Sequence, residues 1–249
     1  MQNDDILIVM QKDLERALQK PEAERRWAML IDLRKCVGCH ACTVGCVSEN
    51  KLPPGMYYRP VHEYEQGKYP QVTRTFLPRP CMQCDNPPCV DACPVKGEEG
   101  ATWKAATGIV MIEYGQCIGC GACVPACPYD ARTMDEGGMH GKGTPAIQKY
   151  LSMASYEYGK KWERSGNNQP VGNARKCHFC LHRLNAGQLP VCITTCIGRS
   201  GYFGDESDPQ SLIAQVKQAN QVQTLKPAAK TAPRVYYVAH EKLEVLYGN

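Results

Sequence analysis

Apolar positions along this chain come in short runs, and the elements they predict are small and separated by polar loops. Residues 4–24 read as an amphipathic helix at the N-terminus. Short runs from Ala28 to Ile31, Thr75 to Leu77 and Gly108 to Ile112 predict strands that each lead into a loop. From Asp208 to Asn220, DPQSLIAQVKQAN combines an Asp for an N-cap, Pro in the first turn and apolar Leu212, Ile213 and Val216, which predicts a helix. Val235 to Val238 predicts a late strand. Between Met134 and Asn173 the pattern is that of an insertion. Gly137, Gly138, Gly141 and Gly143 open it, Ile147, Tyr150, Leu151, Ala154 and Tyr158 share a helical face, and SGNNQPVGN closes it. Such a segment serves equally as a surface excursion on its own domain or as a partner-docking arm.

Composition narrows the class. The chain has 249 residues with 29 Lys+Arg against 25 Asp+Glu, a mild excess of +4. No uncharged apolar stretch approaches the roughly 18 residues needed to span a bilayer, so no transmembrane segment is expected. The N-terminus carries acids early and does not read as a secretory signal. Arg25 and Arg26 are followed too soon by Asp32, Arg34 and Lys35 for an export segment and read as a solvated helix end. Basic patches with interleaved aromatics are absent, so nucleic acid is not an expected partner.

Cysteine is the outlier, at 16 residues. All fall into four groups of four: Cys36, Cys39, Cys42, Cys46; Cys81, Cys84, Cys89, Cys93; Cys117, Cys120, Cys123, Cys127; and Cys177, Cys180, Cys192, Cys196. Groups one and three have the spacing C-x2-C-x2-C-x3-C, while groups two and four widen the middle gap. Three close cysteines and a fourth that ligates a neighbouring cluster is the arrangement of two-cluster bacterial ferredoxins, which predicts four 4Fe-4S clusters. Gly38, Gly45, Gly119 and Gly121 would let the backbone come close enough for its N–H groups to reach the sulfurs.

Pro94 and Pro128 follow Cys93 and Cys127, as in the ferredoxin run, whereas Val47 and Ile197 follow Cys46 and Cys196. Groups two and three therefore pair, and groups one and four pair around them. The expected ligand sets are Cys36, Cys39, Cys42 with Cys196; Cys177, Cys180, Cys192 with Cys46; Cys81, Cys84, Cys89 with Cys127; and Cys117, Cys120, Cys123 with Cys93. The expected fold is α+β, with two ferredoxin-like units, one nested in the other, a helical insertion and terminal extensions. Its parts are a helical extension over 1–27, an outer unit over 28–75 and 174–205, an inner unit over 76–133, the insertion over 134–173, and a C-terminal helix and strand over 206–249.

Rival chemistries explain less. Cys36-Val37-Gly38-Cys39-His40 also matches the c-type haem motif, but haem leaves Cys42 and Cys46 without a role. Zinc sites need neither the third close cysteine nor the following proline. Four redox-active C-x-x-C bridges would make a poor disulfide scaffold. His178 and His182 flank group four and read as packing residues. Arg34, Lys35, Arg175 and Lys176 precede cluster cysteines, either as charges that raise a cluster's potential or as solvated loop residues. No catalytic triad, phosphate loop or dinucleotide fingerprint is present. Thiolates used fully as ligands leave no open position for chemistry, so electron transfer is expected rather than catalysis.

The stretches RKCVGCHACTVGC, PCMQCDNPPCVDACPV, GQCIGCGACVPACPYDAR and RKCHFCLHRLNAGQLPVCITTC, followed by GDESDPQS and LKPAAKTAPRVYY, resemble the four-cluster iron-sulfur subunits of the dimethyl sulfoxide reductase superfamily of molybdenum enzymes. The resemblance covers about residues 28 to 240 and is strong to the polysulfide, thiosulfate, tetrathionate and arsenate respiratory reductases, with the dimethyl sulfoxide, sulfite and formate systems as alternatives. It implies an electron-transfer role between a catalytic partner carrying a bis-molybdopterin guanine dinucleotide cofactor and a membrane subunit that exchanges electrons with quinol. It also implies that the group-one cluster lies nearest the molybdenum and the group-three cluster nearest the quinone. Some relatives carry Trp where this chain has Cys120 and hold a 3Fe-4S cluster, so four complete 4Fe-4S clusters are expected here. Relatives often cross the membrane with a twin-arginine-tagged catalytic partner, which implies a peripheral position on the periplasmic face, with the cytoplasm as the alternative. A second class, a ferredoxin-type subunit of a soluble formate dehydrogenase or hydrogenase, shares the cysteine pattern. The connection PVKGEEGATWK after Cys93 is longer than usual for the family. Four clusters at about −2 each would turn the formal +4 into a net negative charge.

Overall fold

A computed structural model describes residues 5–96, 100–143, 149–164, 168–240 and 242–243. At its centre lies β1 (Trp27–Asp32), every residue of which is buried. It is flanked by β8 (Gly201–Asp205), antiparallel, and by β9 (Val235–Val238), parallel, so both ends of the chain meet in one three-stranded sheet. A strand buried on both faces reads as a continuous apolar run, and that is why WAMLID stands out in the sequence. The helix α1 (Ile6–Leu18) covers this sheet through Met10, Leu14 and Ala17, all 0% exposed and spaced one helical turn apart. Asp5 caps it by accepting from Leu7 N–H at 3.0 Å.

The N-terminal helix is shorter than the 4–24 expectation. Arg25 explains where it stops: its guanidinium donates to the carbonyls of Leu18 and Lys20, both at 2.9 Å, supplying the free C-terminal carbonyls with a cation. Arg25 is thus half-buried and bonded rather than solvated. The late helix α6 (Leu212–Ala219) also differs at its start, because Ser211 rather than Asp208 is the cap, its Oγ accepting from Ala214 N–H. Asp208 is occupied instead by Gln210 N–H and by Arg16.

Around the sheet are short elements: α2 (Ala41–Asn50), α3 (Pro88–Asp91), β4 (Thr102–Lys104) with β5 (Val110–Ile112), β6 (Thr133–Met134) with β7 (Ala174–Arg175), α4 (Leu181–Asn185) and α5 (Val191–Thr194). The run at Thr75–Leu77 belongs to a full hairpin, β2 (Val61–Lys68) with β3 (Gln71–Pro78). Half of its residues are exposed, and the face opposite Glu63, Glu65 and Arg74 carries His62, Tyr64, Gln66, Thr73 and Thr75 rather than an apolar run, so no apolar period-2 pattern marks it. The whole is α+β, with small sheets and short helices as in ferredoxin-like domains.

The insertion is not the expected helix. Ile147 lies outside the described residues, and from Lys149 onward there is one turn of 3-10 helix, Lys149–Ser152, followed by a bridge between Ser155 and Trp162. Glu157, 0% exposed, accounts for this, since its carboxylate accepts from Tyr58 OH at 2.6 Å and from Arg175 Nη2 at 2.7 Å. A charge that must reach buried partners bends the backbone inward, and Tyr158 takes φ +55° to do so. The segment therefore packs on its own domain.

The C-terminal segment is built into the fold. Beside β9, the N–H of Arg234 donates to Met82 O at 2.9 Å, and Asp85 and Asn86 N–H donate to Ala232 O and Thr231 O at 2.8 and 3.0 Å. It straps the central sheet to the loop of cysteine group two.

Candidate metal centres

After β1 the chain turns through Leu33–Lys35 and presents Cys36, Cys39 and Cys42, the last at the start of α2. These three and Cys196 line one cavity. Gly38 sits in this loop at φ +67°, with the Phe76 ring 2.4 Å from where a Cβ would be. Only glycine meets both demands. Cys46 follows one turn further along the same face of α2. There its thiol lies among those of Cys180, Cys177 and Cys192, and burial together with these neighbours pushes its pKa well above the ordinary thiol value. Gly45, also on α2, does not serve a loop. It lies in the helix against Val191 and Thr195, keeping α2 close to the α5 segment that carries Cys192.

The third set, Cys117, Cys120 and Cys123 with Cys93, lines a second cavity. Gly119 has φ +69°, and a Cβ there would meet Gly172 O at 2.4 Å. Gly119→Ala is accordingly expected to lower stability by about 1–3 kcal/mol and to loosen this loop first. Denaturant titration checks the first effect, and hydrogen exchange at Ile118–Gly121 the second. The remaining set is Cys81, Cys84, Cys89 and Cys127. Burial, followed by Cys81, Cys89 and Cys127, pushes the Cys84 thiol up to about 12, a hydrogen bond from Thr231 offsetting part of the rise.

All sixteen cysteines are free thiols, which removes the disulfide alternative. Backbone N–H groups do reach sulfur, Phe179 to Cys177 at 3.4 Å and Ser200 to Cys196 at 3.3 Å. Burial raises the Cys196 pKa, but these bonds, with the Ser200 hydroxyl and Gly201 N–H, leave it below the ordinary value. Thiols held protonated by burial become thiolates only against a strong positive charge, which iron provides. Among the described residues no group of three His, Cys, Asp or Glu side chains could hold a single metal ion. The thiols surround spaces instead of points, a donor set that fits a multi-iron cluster.

The neighbouring residues sort clearly. His178 Nε2 bonds Asn50 Oδ1 at 3.1 Å while Nδ1 accepts from Leu181 N–H, and His182 Nε2 bonds Glu49 at 2.8 Å, so both histidines are structural. Arg34 and Lys35 are exposed, whereas Arg175 and Lys176 are 0% exposed. Arg59 and Arg132, absent from the expected site, are both buried beside cysteine sulfur. No spacing rule marks Arg59, and Arg132 in CPYDAR follows Cys127 with nothing to announce its direction.

Residues 72–149 and 160–206 match the 4Fe-4S dicluster domain family. A selenate reductase subunit of Mesobacillus selenatarsenatis is 54% identical over 238 residues, covering 96% of this chain and 80% of that protein. A tetrathionate reductase subunit of Salmonella typhimurium is 39% identical over 86% of this chain and 72% of its own. The arsenate respiratory reductase iron-sulfur subunit of a Shewanella species is 33% identical over 89% of this chain and 100% of its own. With sixteen free thiols gathered in sets of four and such relatives along nearly its whole length, the chain belongs to the 4Fe-4S dicluster family of iron-sulfur electron-transfer subunits, within the dimethyl sulfoxide reductase superfamily.

Proposed function

We propose that this chain relays electrons through four 4Fe-4S clusters between a molybdopterin catalytic subunit and a membrane quinone-binding subunit of a respiratory reductase. The observation that carries it is the gradient of exposure along the cysteine sets. Cys39 and Cys120, at matching positions in groups one and three, are exposed, and beside them stand exposed apolar residues, Val37 at 59% and Ile118 at 68%. The sets built on groups four and two are buried but for the half-buried Cys127. Two open ends with a closed interior suit passage from one docked partner to another, with apolar surface at each end for a partner to cover.

In this reading the four thiols of each set hold one cluster, and a bound cluster takes up and gives back single electrons. Cys46, Cys93, Cys127 and Cys196 each cross to a neighbouring set, which ties groups one and four into an outer unit and groups two and three into an inner one. The surrounding side chains exclude water from the interior sets, and N–H groups at Cys177 and Cys196 stabilise thiolate charge. No described helix is long and apolar enough to cross a membrane. In this reading contact with quinone falls to a separate subunit, and the complex reaches the periplasmic face by export with its catalytic partner. The 54% identity to a selenate reductase subunit supports an oxyanion as the substrate of that partner.

The purified complex should be brown, carry about 16 iron and about 16 acid-labile sulfide per copy of this chain, and oxidise quinol in detergent. Cys46→Ser and Cys180→Ser should perturb the same low-temperature EPR signal, and Cys46→Ser and Cys42→Ser different ones. A colourless zinc protein, or a complex soluble without detergent and coupled to nicotinamide or hydrogen, would overturn the reading.

A further inference from the structure

Three cations lie buried against the thiols. Arg59 and Arg132 are each 3% exposed and Lys176 is 0% exposed. Arg59 donates from Nη1 to Met29 Sδ at 2.9 Å and to Cys192 Sγ at 3.7 Å, its guanidinium also reaches Cys42, and its Nε has no partner. Arg132 lines the cavity of Cys93, Cys117, Cys120 and Cys123, donates to Thr102 Oγ1 at 2.9 Å, reaches Cys89 on its other side, and also leaves its Nε without a partner. Lys176 Nζ donates to the Cys177 carbonyl at 2.9 Å and faces the thiols of Cys81, Cys177 and Cys89.

Among the described residues, no carboxylate pairs with any of the three. This is not a general shortage, because Arg175, next to Lys176 and equally buried, pairs with Asp135 at 2.6 Å and Glu157 at 2.7 Å. A buried charge without a counter-charge is strongly disfavoured, so an unpaired cation implies an anion still to come.

The positions of the three form a series. Arg59 touches Cys42 of the first set and Cys192 of the fourth. Lys176 faces Cys177 of the fourth and Cys81 and Cys89 of the second. Arg132 reaches Cys89 of the second and lines the cavity of the third. Every step from the first set through the fourth and second to the third has one cation in it.

We propose that Arg59, Lys176 and Arg132 are counter-charges set one in each gap between clusters, each raising the reduction potential of the two clusters beside it. The proposal rests on the four-cluster reading above. A cluster ligated by four thiolates is negative, and reduction adds one more negative charge. A fixed cation in a low-dielectric interior therefore favours the reduced form on both its sides. Because one cation stands beside two clusters, it raises the potentials of both together. Arginine suits the two end gaps because its charge is permanent and its fork can face two sets of sulfurs at once.

The test is an EPR-monitored redox titration of the assembled complex carrying Arg59→Gln, Lys176→Gln or Arg132→Gln, with signals assigned through the Cys→Ser variants above. Each neutral variant with full iron and sulfide is expected to weaken reduction of its two flanking clusters by about tenfold, which is about 59 mV lower for a one-electron couple, and to leave the other two unmoved. Arg59→Lys and Arg132→Lys keep the charge and should restore most of the shift. Unmoved potentials in a neutral variant that holds all four clusters would overturn the proposal, as would an equal shift of all four. Any one gap is enough to support or overturn it, so a variant that fails to assemble is replaced by that of another gap. A wild-type complex with fewer than four clusters would defeat the four-cluster reading itself, a result separate from any shift in potential.

Discussion

Cys180→Ala is expected to stop quinol-driven turnover of the complex, while a reducing dye that feeds the catalytic subunit directly still supports its reaction. Cys180 is 5% exposed and lies among Cys177, Cys192 and Cys46, so its loss breaks an interior set that no partner can bypass. The iron content should fall by up to about 4 per chain as one cluster is lost or degraded. Metal ligation also contributes to folding, with structural sites worth on the order of 10 kcal/mol, so this variant should lose its visible absorbance at lower temperature than the wild type. Comparing quinol-linked and dye-linked rates on one preparation checks the prediction. Equal loss of both rates would mean structural collapse, and retention of both would take the fourth set off the electron path.

The next largest effect is expected at the buried ion cluster beneath the insertion. Glu157 lies between Arg175, Tyr58, Tyr114 and His178 with no exposed surface. Burial raises its pKa, but the Arg175 charge and the hydrogen bonds from His178 and Tyr58 prevail and bring it down to about 2, against an ordinary 4.5. The folded value is below the unfolded one. The stabilisation is therefore complete above about pH 4.5 and is lost as pH falls toward 2, and the shift corresponds to about 3 kcal/mol. Glu157→Gln removes the carboxylate's charge and leaves Arg175 with Asp135 alone. It should cost about 3–5 kcal/mol at neutral pH, and its stability should fall less between pH 5 and pH 3 than that of the wild type. Denaturant midpoints for both proteins across that range decide the matter. Parallel curves would show that the Glu157 pKa is the same in the folded and the unfolded chain.

Several elements of the fold were legible one residue at a time. Ala28–Ile31 and Val235–Val238 read as strands because both are largely buried, and Leu212, Ile213 and Val216 marked a helix because one face of it is buried. The β2–β3 hairpin escaped because one face is charged and the other largely polar, which removes the apolar contrast that periodicity depends on. The helix expected near Tyr150 failed for a different reason. Apolar spacing there is helical, but the need to bring Glu157 to Arg175, 18 positions later, overrides local preference. Gly45 shows the same limit, since its neighbours on α5 lie some 150 positions along the chain.

What the sequence determined by itself is the local chemistry: sixteen cysteines in four groups, with gaps short enough for one loop to bring three thiols together. Tertiary structure decided what depends on distance through space. It set which thiols are exposed and which are sealed in, joined β9 to β1, and turned Arg59 and Arg132 toward sulfurs carried by other elements. Ligand spacing is a property of a few consecutive residues, whereas burial and electrostatic neighbourhood arise only when distant segments pack and exclude water between them.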